Sequence, residues 1–332
     1  MSGHVSRPEI SDSHTRTVLM FPGQSSADPG MIARARTLGP AAEEVLDRAA
    51  RVLDPSTLAR YTGDTGVRLE SNRDVQLSVF LTTQMHWAAL RAAGVDADLS
   101  LGLSLGEYSH LVHIGALSFE SALALVERRG AAYDQSPPGV MVAVLGATEE
   151  EVADAVARSR DHGVVVISNF NAPTQHVIAG DRRAVAAAAA YLEDEYGAST
   201  VETESRVPMH SPLLAPVAAA FTSELQRAAW QPVDRPYVPN VSAMPDPAPT
   251  ASTFVERLTA HVTEPVRWRA SVERVALEAR SSCFVEVGPG AVLFNMLSRR
   301  WLDVRRAKTD NRDVASLAPL LVDVVECVRG GT

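Results

Sequence analysis

The most informative pattern in this 332-residue chain is the segment Gly102-Leu103-Ser104-Leu105-Gly106-Glu107. It has the pattern G-x-S-x-G, in which two glycines flank a serine at a predicted turn from a strand into a helix. Glycines on both sides allow the sharp backbone turn that lifts the serine hydroxyl out of the fold. The N–H groups that begin the following helix would point toward an oxyanion formed there. The pattern therefore predicts Ser104 as a nucleophile.

The composition indicates a large α/β core. Hydrophobic residues make up 46% of the chain and aromatic residues only 5%, which is typical of an interior built from Ala, Val and Leu. The net charge of −9 argues against a general nucleic-acid-binding protein, because such proteins need a positive field. A length of 332 residues allows two domains, or one domain with an insertion.

We expect neither a signal peptide nor a membrane-spanning segment in this sequence. The polar N-terminus has no apolar signal region, and no apolar run approaches the length that spans a membrane. Of the two cysteines, Cys283 lies in an apolar segment and is expected to be a buried thiol rather than half of a disulfide. We therefore expect a soluble cytoplasmic protein with no membrane partner.

Alternating strands and helices predict a mostly parallel sheet covered by helices. Strands are predicted over residues 17–21 and 284–287 and in a turn-rich region at 236–243. Helices are predicted over 31–53, 74–93, 106–113, 119–133, 214–229, 251–261 and 314–328. The fold class is therefore α/β, with a large domain that resembles α/β-hydrolases.

A second, smaller unit interrupts this pattern. Residues 139–205 have the order β-α-β-β-α-β, which is typical of a ferredoxin-like subdomain. We predict a large catalytic domain formed by residues 16–138 and 206–332, with 139–205 inserted into it and residues 1–15 as a disordered tail.

A serine hydroxyl needs a base before it can act as a nucleophile at neutral pH. Of the nine histidines, His210 is the best candidate, because Pro208 and Pro212 hold its loop rigid. The alternative interpretation of an isolated histidine in such a loop is a surface residue without a catalytic role. The presence of the Ser104 turn favours the base.

Arg129 lies in an otherwise apolar predicted helix. If it points inward, its guanidinium would bind a carboxylate through two parallel hydrogen bonds. If it points outward, it would pair with Glu127 or another surface carboxylate, and the sequence alone favours neither. Glu107, His110 and His113 lack the i, i+4 pairing of helical zinc sites, so we predict no metal site there.

A basic cluster lies near the C-terminus and consists of Arg299, Arg300, Arg305, Arg306 and Lys308. Such a cluster is usually a solvated face. In an enzyme it could instead receive an acidic partner protein.

Several motifs occur in a fixed order over about residues 17–300. They are FPGQ at 21–24, Gln76, GLSLGEY at 102–108, Arg129-Gly130, NFNAP at 169–173 with Gln175, HSPL at 210–213, Asn240-Val241, PVRW at 265–268 and EVGPG at 286–290. With these motifs the chain resembles malonyl-CoA:acyl-carrier-protein transacylases and the acyltransferases of polyketide synthases. It resembles a discrete member, which would act in trans on a separate carrier protein.

The resemblance implies a Ser–His dyad in which His210 takes the proton of Ser104. The backbone N–H groups of Gln24 and Leu105 would bind the oxyanion, and the backbone carbonyl of Asn240 would orient His210. Arg129 would hold the malonyl carboxylate. No bound cofactor is implied, since acyl-CoA and a phosphopantetheinyl acyl carrier protein are the substrates.

The acyl pocket departs from the family pattern. Leu103 stands where a histidine is common, and Met209 precedes the catalytic histidine where Phe or Ser is often found. We expect Leu103, Met209, Gln76 and Asn171 to contact the acyl substrate together with Arg129. The flexible Met209 side chain is compatible with several acyl shapes.

These observations favour an acyltransferase that moves malonyl, or a related acyl group, from CoA to an acyl carrier protein. We expect a monomer whose basic cluster, including Arg299, Arg300, Arg305 and Arg306, docks the carrier protein. Two alternatives keep the dyad: transfer of an unusual acyl or aminoacyl group between two carrier proteins in polyketide biosynthesis, and hydrolysis of carrier-bound thioesters. A catalytically silent scaffold and an ordinary α/β-hydrolase are disfavoured, because the dyad residues are present and the inserted subdomain is not a hydrolase feature.

Overall fold

The strands of this computed structural model form two separate four-stranded sheets within the described residues, which are 16–62, 69–278, 282–310 and 324. In chain order the strands are β1 (Arg16–Phe21), β2 (Leu99–Gly102), β3 (Val140–Leu145), β4 (Val165–Ala172), β5 (Gln175–Gly180), β6 (Ser199–Glu204), β7 (Ser282–Glu286) and β8 (Arg305–Lys308). The first sheet has the order β2-β1-β7-β8 and is parallel throughout. The second has the order β4-β5-β3-β6 and is antiparallel throughout.

Helices surround the parallel sheet and cover one face of the other. In chain order they are α1 (Met31–Arg36), α2 (Pro40–Ala49), α3 (Pro55–Thr62), α4 (Asn72–Ala92), α5 (Gly106–His113), α6 (Phe119–Asp134), α7 (Glu149–Ser159), α8 (Arg182–Tyr196), α9 (Ala215–Arg227), α10 (Ala251–Thr263), α11 (Trp268–Glu278) and α12 (Val292–Met296). Side-chain caps fix several starts, such as Ser71 accepting from Asp74 N before α4 and Ser118 accepting from Ser121 N before α6.

The parallel sheet determines where the serine turn lies. Strand β1 is almost completely buried, as expected for a parallel strand covered on both faces. Phe21, at the end of β1, is in register with Gly102 at the end of β2. Because both strands end at the same edge, the loop after β1 lies beside the turn that carries Ser104. Ligands bind at this edge in open α/β sheets.

The second sheet has the predicted ferredoxin-like arrangement. Its elements follow the order β3-α7-β4-β5-α8-β6, and α7 and α8 enclose a separate apolar core on one face. The other face joins the core of the large sheet's helices through Met141, Val177 and Ala179. The prediction of an α/β fold with a ferredoxin-like unit is therefore confirmed. The exact domain boundaries stay a prediction.

The helices predicted over 31–53 are present as α1 and α2, which are separated because Gly39 has a φ of 112° and Pro40 begins a new helix. Two other local features differ from the prediction. Residues 236–243 form no strand, only an isolated bridge between Tyr237 and Asp246. The edge strand β8 was not predicted, since its basic sequence resembles a surface segment.

Other predictions fall at the edge of the described chain. The predicted tail at 1–15 lies outside the described residues, and so does the predicted helix at 314–328 apart from Val324. Within the described residues, no helix combines the length and apolar character that crossing a membrane requires.

Cys283 is buried but belongs to a disulfide, so the expectation of a free thiol is wrong. Burial does not distinguish a free cysteine from a disulfide-bonded one, because apolar surroundings suit both.

Candidate active site

The turn at Ser104 is held by two close backbone approaches. A Cβ atom on Gly102 would lie 2.2 Å from the Gly106 carbonyl carbon, and one on Gly106 would lie 2.0 Å from the Phe21 oxygen. Only glycine fits at either position. Between them Ser104 adopts a φ of 50°, a left-handed conformation that is uncommon outside glycine and is found at functional sites. The predicted strand–turn–helix is therefore present, and it presents the serine side chain at the sheet edge.

His210 lies within hydrogen-bond reach of Ser104. Its Nε2 atom is 2.7 Å from Ser104 Oγ, although 106 positions separate the two residues. Its Nδ1 atom is 2.7 Å from the backbone oxygen of His261. Because a carbonyl only accepts, Nδ1 carries the proton and Nε2 is free to accept from the serine hydroxyl. Burial and the nearby charge of Arg129 lower the pKa of His210 to about 3, which keeps the imidazole neutral at pH 7.

The orientation of His210 corrects one prediction. The carbonyl that accepts from Nδ1 belongs to His261 on α10, not to Asn240. The Asn240 side chain instead fastens the serine turn: its Oδ1 accepts from Ser104 N at 2.8 Å, and its Nδ2 donates to the Gly102 oxygen at 2.6 Å. The segment around Asn240 passes beneath the turn, whereas the end of α10 lies against the imidazole.

A buried polar cluster lies behind His210. The His261 ring stacks on the His210 ring with centroids 4.8 Å apart, and His261 Nδ1 lies 3.1 Å from Glu107 Oε2. Tyr237 OH donates to Glu107 Oε1, and Asn240 N lies 3.4 Å from Oε2. Burial raises the pKa of Glu107 to about 8 and outweighs the two hydrogen bonds, which lower it. Burial also lowers the pKa of His261. Sequence reasoning considered Glu107 only as a metal ligand and did not single out His261 or Tyr237.

His110 and His113, considered as metal ligands with Glu107, point to other partners. His110 Nδ1 lies 2.7 Å from Ser100 Oγ, and its Nε2 accepts from Val238 N at 3.0 Å. His113 packs edge-on against Trp87 with ring centroids 5.2 Å apart. Among the described residues no group of His, Cys, Asp and Glu side chains could hold a metal ion.

Two backbone amides flank Ser104. Gly23 packs against Leu103, since a Cβ atom there would lie 2.9 Å from Leu103 Cδ2, and this contact brings Gln24 N beside the serine turn. Leu105 directly precedes α5. In the described part of the chain, neither Gln24 N nor Leu105 N donates to another backbone group. By contrast, Ser104 N is already bonded to Asn240.

Arg129 points inward from α6, which settles the alternative that the sequence left open. Its side chain is 1% exposed, its Nη1 donates to Gln76 Oε1 at 2.7 Å, and its Nη2 lies 3.5 Å from Ser104 Oγ. The guanidinium also lies over the Tyr133 ring, 4.4 Å from the centroid. Among the described residues no carboxylate lies within ion-pair distance of Arg129, so its charge is buried without a carboxylate in direct contact.

Gln76 is fixed in turn by Gln24. Gln76 Nε2 donates to Gln24 Oε1 at 3.3 Å, and Gln24 Nε2 donates to Asn72 Oδ1 at 3.3 Å. Gln76 is completely buried and is not part of the cleft surface. Its observed contact is with Arg129, so it holds the guanidinium in place rather than facing the cleft.

The space above Ser104 is a cleft of about 790 Å³ between the two sheets. Its floor and walls include Ser104, His210 and three of the residues expected to contact substrate: Leu103, Met209 and Asn171. Asn171 Oδ1 is buried and has no hydrogen-bond partner within the described residues. The cleft is large enough for an extended acyl thioester chain.

Comparison with known proteins identifies the family. The model of the acyl transferase domain family matches residues 18–323. The chain belongs to the acyl transferase family. Among similar proteins, the malonyl CoA-acyl carrier protein transacylase of Haemophilus influenzae is 32% identical over 307 residues, covering 90% of this chain and 96% of that protein.

Similar solved structures support the same family assignment. The malonyl CoA-acyl carrier protein transacylase of Clostridium perfringens superimposes with a TM-score of 0.84 at 27% identity, covering 95% of this chain and 98% of that one. A malonyl-transacylase in complex with its type II polyketide synthase acyl-carrier protein gives 0.84 at 28% identity, covering 96% and 100%. This chain is therefore an acyltransferase, and the resemblance drawn from its motifs is confirmed.

The basic cluster of this acyltransferase is divided in two. Arg299 and Arg300 are exposed just beyond α12. Arg305 and Arg306 are half-buried on β8, and Arg306 Nη1 donates to the backbone oxygens of Phe294 and Leu297. Arg306 therefore binds carbonyls around the end of α12 and is not free for a partner. Sequence reasoning grouped these residues because it had not predicted β8.

Proposed function

We propose that this acyltransferase moves a malonyl group, or a closely related carboxylated acyl group, from coenzyme A to the phosphopantetheine thiol of an acyl carrier protein. The observation that carries the proposal is the buried guanidinium of Arg129, which lacks a carboxylate partner among the described residues and lies 3.5 Å from Ser104 Oγ. Burying an uncompensated charge is unfavourable. A carboxylate on the acyl group would supply the missing charge through two parallel hydrogen bonds.

In the first half-reaction, Ser104 Oγ attacks the thioester carbonyl while His210 Nε2 accepts the hydroxyl proton. The 2.7 Å separation and the neutral state of the imidazole support this proton transfer. The unbonded amides of Gln24 and Leu105 are suited to bind the oxyanion of the tetrahedral intermediate. The C–S bond then breaks, the CoA sulfur takes the proton back from Nε2, and an acyl-serine ester remains.

The second half-reaction repeats the chemistry with a different thiol. The phosphopantetheine sulfur loses its proton to His210 Nε2 and attacks the ester carbonyl. The C–O bond to Ser104 breaks, the serine oxygen recovers the proton, and the acyl group leaves on the carrier protein. The His261 carbonyl would accept from Nδ1 throughout and stabilise the imidazolium that forms twice.

The proposed substrates are those in the names of the similar proteins. The similar proteins are named malonyl CoA-acyl carrier protein transacylases, and one solved relative is bound to its acyl-carrier protein. We propose the same two substrates here, with no bound cofactor and with the protein acting as a monomer on a separate carrier. A polyketide pathway is favoured by that complex, which comes from a type II polyketide synthase.

Two alternatives remain without a supporting observation. Transfer between two carrier proteins needs no CoA site, and hydrolysis needs a water molecule that reaches the ester. Neither explains why Arg129 is buried without a carboxylate. Both share the acyl-serine intermediate, so the same experiment tests them.

The test is intact-protein mass spectrometry after incubation with malonyl-CoA. We expect a malonyl adduct on Ser104, absent in Ser104→Ala, that moves to added holo acyl carrier protein faster than free malonate appears. An adduct that is released only as the free acid would favour hydrolysis. Loading from an acyl carrier donor but not from malonyl-CoA would favour carrier-to-carrier transfer.

A further inference from the structure

His261 contacts the catalytic imidazole in two ways. Its backbone oxygen accepts from His210 Nδ1 at 2.7 Å, and its own ring stacks on the His210 ring with an interplanar angle of 24°. The carbonyl fixes one atom of the imidazole but leaves the ring able to tilt about that hydrogen bond. A second ring packed against its face restricts the tilt.

The two nitrogen atoms of the His261 ring have a single polar partner among the described residues. Its Nδ1 atom lies 3.1 Å from Glu107 Oε2, whereas its Nε2 atom is buried with no hydrogen-bond partner among the described residues. Both His261 and Glu107 are almost completely buried. Among the described residues, Glu107 therefore provides the one polar contact that orients this ring.

Glu107 belongs to the same segment as the nucleophile. Glu107 N donates to Ser104 O at 3.0 Å in the first turn of α5. The contacts thus form a closed circuit: from the Ser104 backbone to Glu107, from Glu107 to the His261 ring, from that ring to His210, and from His210 Nε2 back to Ser104 Oγ. A circuit of short contacts fixes the position of the Ser104 nucleophile relative to the His210 base more tightly than one hydrogen bond does.

We propose that His261 and Glu107 form a positioning pair, in which Glu107 holds the His261 ring against His210 and so fixes the plane of the imidazole that receives the Ser104 proton. The role deepens the proposed acyl transfer and rests on the dyad in it. Neither residue lines the cleft above Ser104. Removing the pair should therefore slow the chemical step and leave substrate binding unchanged.

The variants separate the two features of the His261 side chain, because every substitution keeps its backbone carbonyl. His261→Phe keeps a stacked ring without the Glu107 contact, and His261→Gln keeps a polar group for Glu107 without the stacked ring. His261→Ala removes both. Glu107→Gln keeps the size of the carboxylate side chain, and His113→Phe, a buried histidine packed against Trp87 away from the cleft, is the matched control.

Two readouts are measured on each variant: single-turnover acylation by malonyl-CoA, and inactivation by a small fluorophosphonate, which needs only a reactive serine. We expect His261→Ala to lower the maximal acylation rate by about 100-fold, the cost of a misplaced catalytic group, with the half-saturating concentration unchanged. His261→Gln and His261→Phe should lie between His261→Ala and the wild type. Fluorophosphonate inactivation should follow the same order, and His113→Phe should match the wild type.

A double-mutant cycle tests whether the residues act as one unit. If they do, His261→Phe with Glu107→Gln should be no slower than the slower single variant. The proposal would be overturned if the rate losses of the two single variants multiplied in the double variant. A wild-type acylation rate in His261→Ala would also overturn it, and so would a raised half-saturating concentration at an unchanged rate. If one variant fails to fold, the remaining members of the series decide.

The fluorophosphonate readout keeps this inference separate from the substrate assignment. A wild-type protein that reacts with the phosphonate but not with malonyl-CoA would refute the proposed substrate. The order of phosphonate reactivity among the variants would still test the positioning pair. Unchanged phosphonate reactivity across the series, with malonyl loading intact in the wild type, would refute the pair alone.

Discussion

Ser104 and His210 face each other at 2.7 Å, and both adopt left-handed backbone conformations, with φ values of 50° and 58°. Neither residue is a glycine, so each position is strained by about 1 kcal/mol or more. Packing maintains this strain from both sides: the glycines around Ser104 permit the turn, and the His261 carbonyl holds the imidazole. Strain of this kind at two facing residues is a mark of a functional site.

The glycine at 106 should be irreplaceable. In Gly106→Ala the new methyl group would lie 2.0 Å from the Phe21 oxygen, so β1 and α5 must separate. We expect a loss of about 3 kcal/mol in the free energy of unfolding, measured by chemical denaturation, together with loss of fluorophosphonate labelling. Gly197→Ala is the control, because that position has a φ of 64° but open space, and should lose only about 1 kcal/mol. Equal losses would show that the close approach is unimportant.

Arg129 should discriminate between acyl groups. Arg129→Ala removes the charge that would bind a carboxylate, so malonyl loading should fall about 100-fold more than acetyl loading, as expected for a charged bidentate contact worth about 3 kcal/mol. Acylation rates with malonyl-CoA and acetyl-CoA give the ratio. Arg128→Ala is the control, since Arg128 is exposed and pairs with Glu224. A parallel fall for both substrates would mean that Arg129 only supports the fold around Ser104.

Stability should rise steeply with pH on the acid side of neutrality. Burial lowers the pKa of six described histidines, which stay neutral in the folded state while the unfolded chain binds protons below about pH 6.5. The six are His86, His110, His113, His176, His210 and His261. Below that value, each histidine raises the free energy of unfolding by at most about 1.4 kcal/mol for every unit by which the pH increases.

Two buried glutamates act in the opposite direction. Burial raises the pKa of Glu107 to about 8 and that of Glu286 to about 7, so their contribution to stability is lost as pH rises through those values. With six groups against two, stability should increase from about pH 5 to 6.5 and decline slowly above about pH 7. Denaturation curves across this range measure it. His113→Phe should flatten the acid side, whereas His162→Gln, at an exposed position, should not; a flat wild-type curve would contradict the prediction.

The two halves of the basic cluster should respond differently to substitution. Arg306→Ala leaves the carbonyls of Phe294 and Leu297 without their donor and should cost about 2 kcal/mol of stability. Charge reversal at the exposed Arg299 and Arg300 should leave the melting temperature unchanged but raise the KM for the carrier protein about 10-fold, as for other rim charges. An unchanged KM would place the docking surface elsewhere on the chain.

Much of the site could be predicted because its signals are local. Gly102 and Gly106 surround Ser104 within five residues, and their steric role needs no knowledge of the rest of the chain. The order of elements between Val140 and Glu204 likewise follows from periodicity along the chain. His210 could be selected from its proline-flanked loop and Arg129 from its apolar helix, the family resemblance implied their roles, and the structure brings both to the serine.

What could not be predicted depends on contacts between distant segments. Which carbonyl meets His210 Nδ1 depends on where α10 ends, and no pattern in the sequence distinguishes His261 from Asn240 in this respect. The Glu107–His261 contact joins a helix start to a helix end 154 positions away, counting from residue 107 to residue 261. Likewise Arg306 became structural only because β8 joined the sheet edge.

The serine turn, the α/β class and the inserted ferredoxin-like unit follow from local sequence patterns, because backbone sterics and apolar periodicity act between neighbouring residues. Tertiary contacts set the burial of Arg129, the orientation of the imidazole by His261 rather than Asn240, and the position of Glu107 beside the His261 ring. These outcomes depend on how separate helices pack around the sheet. Packing of that kind is a property of the whole core and is not encoded in any single segment.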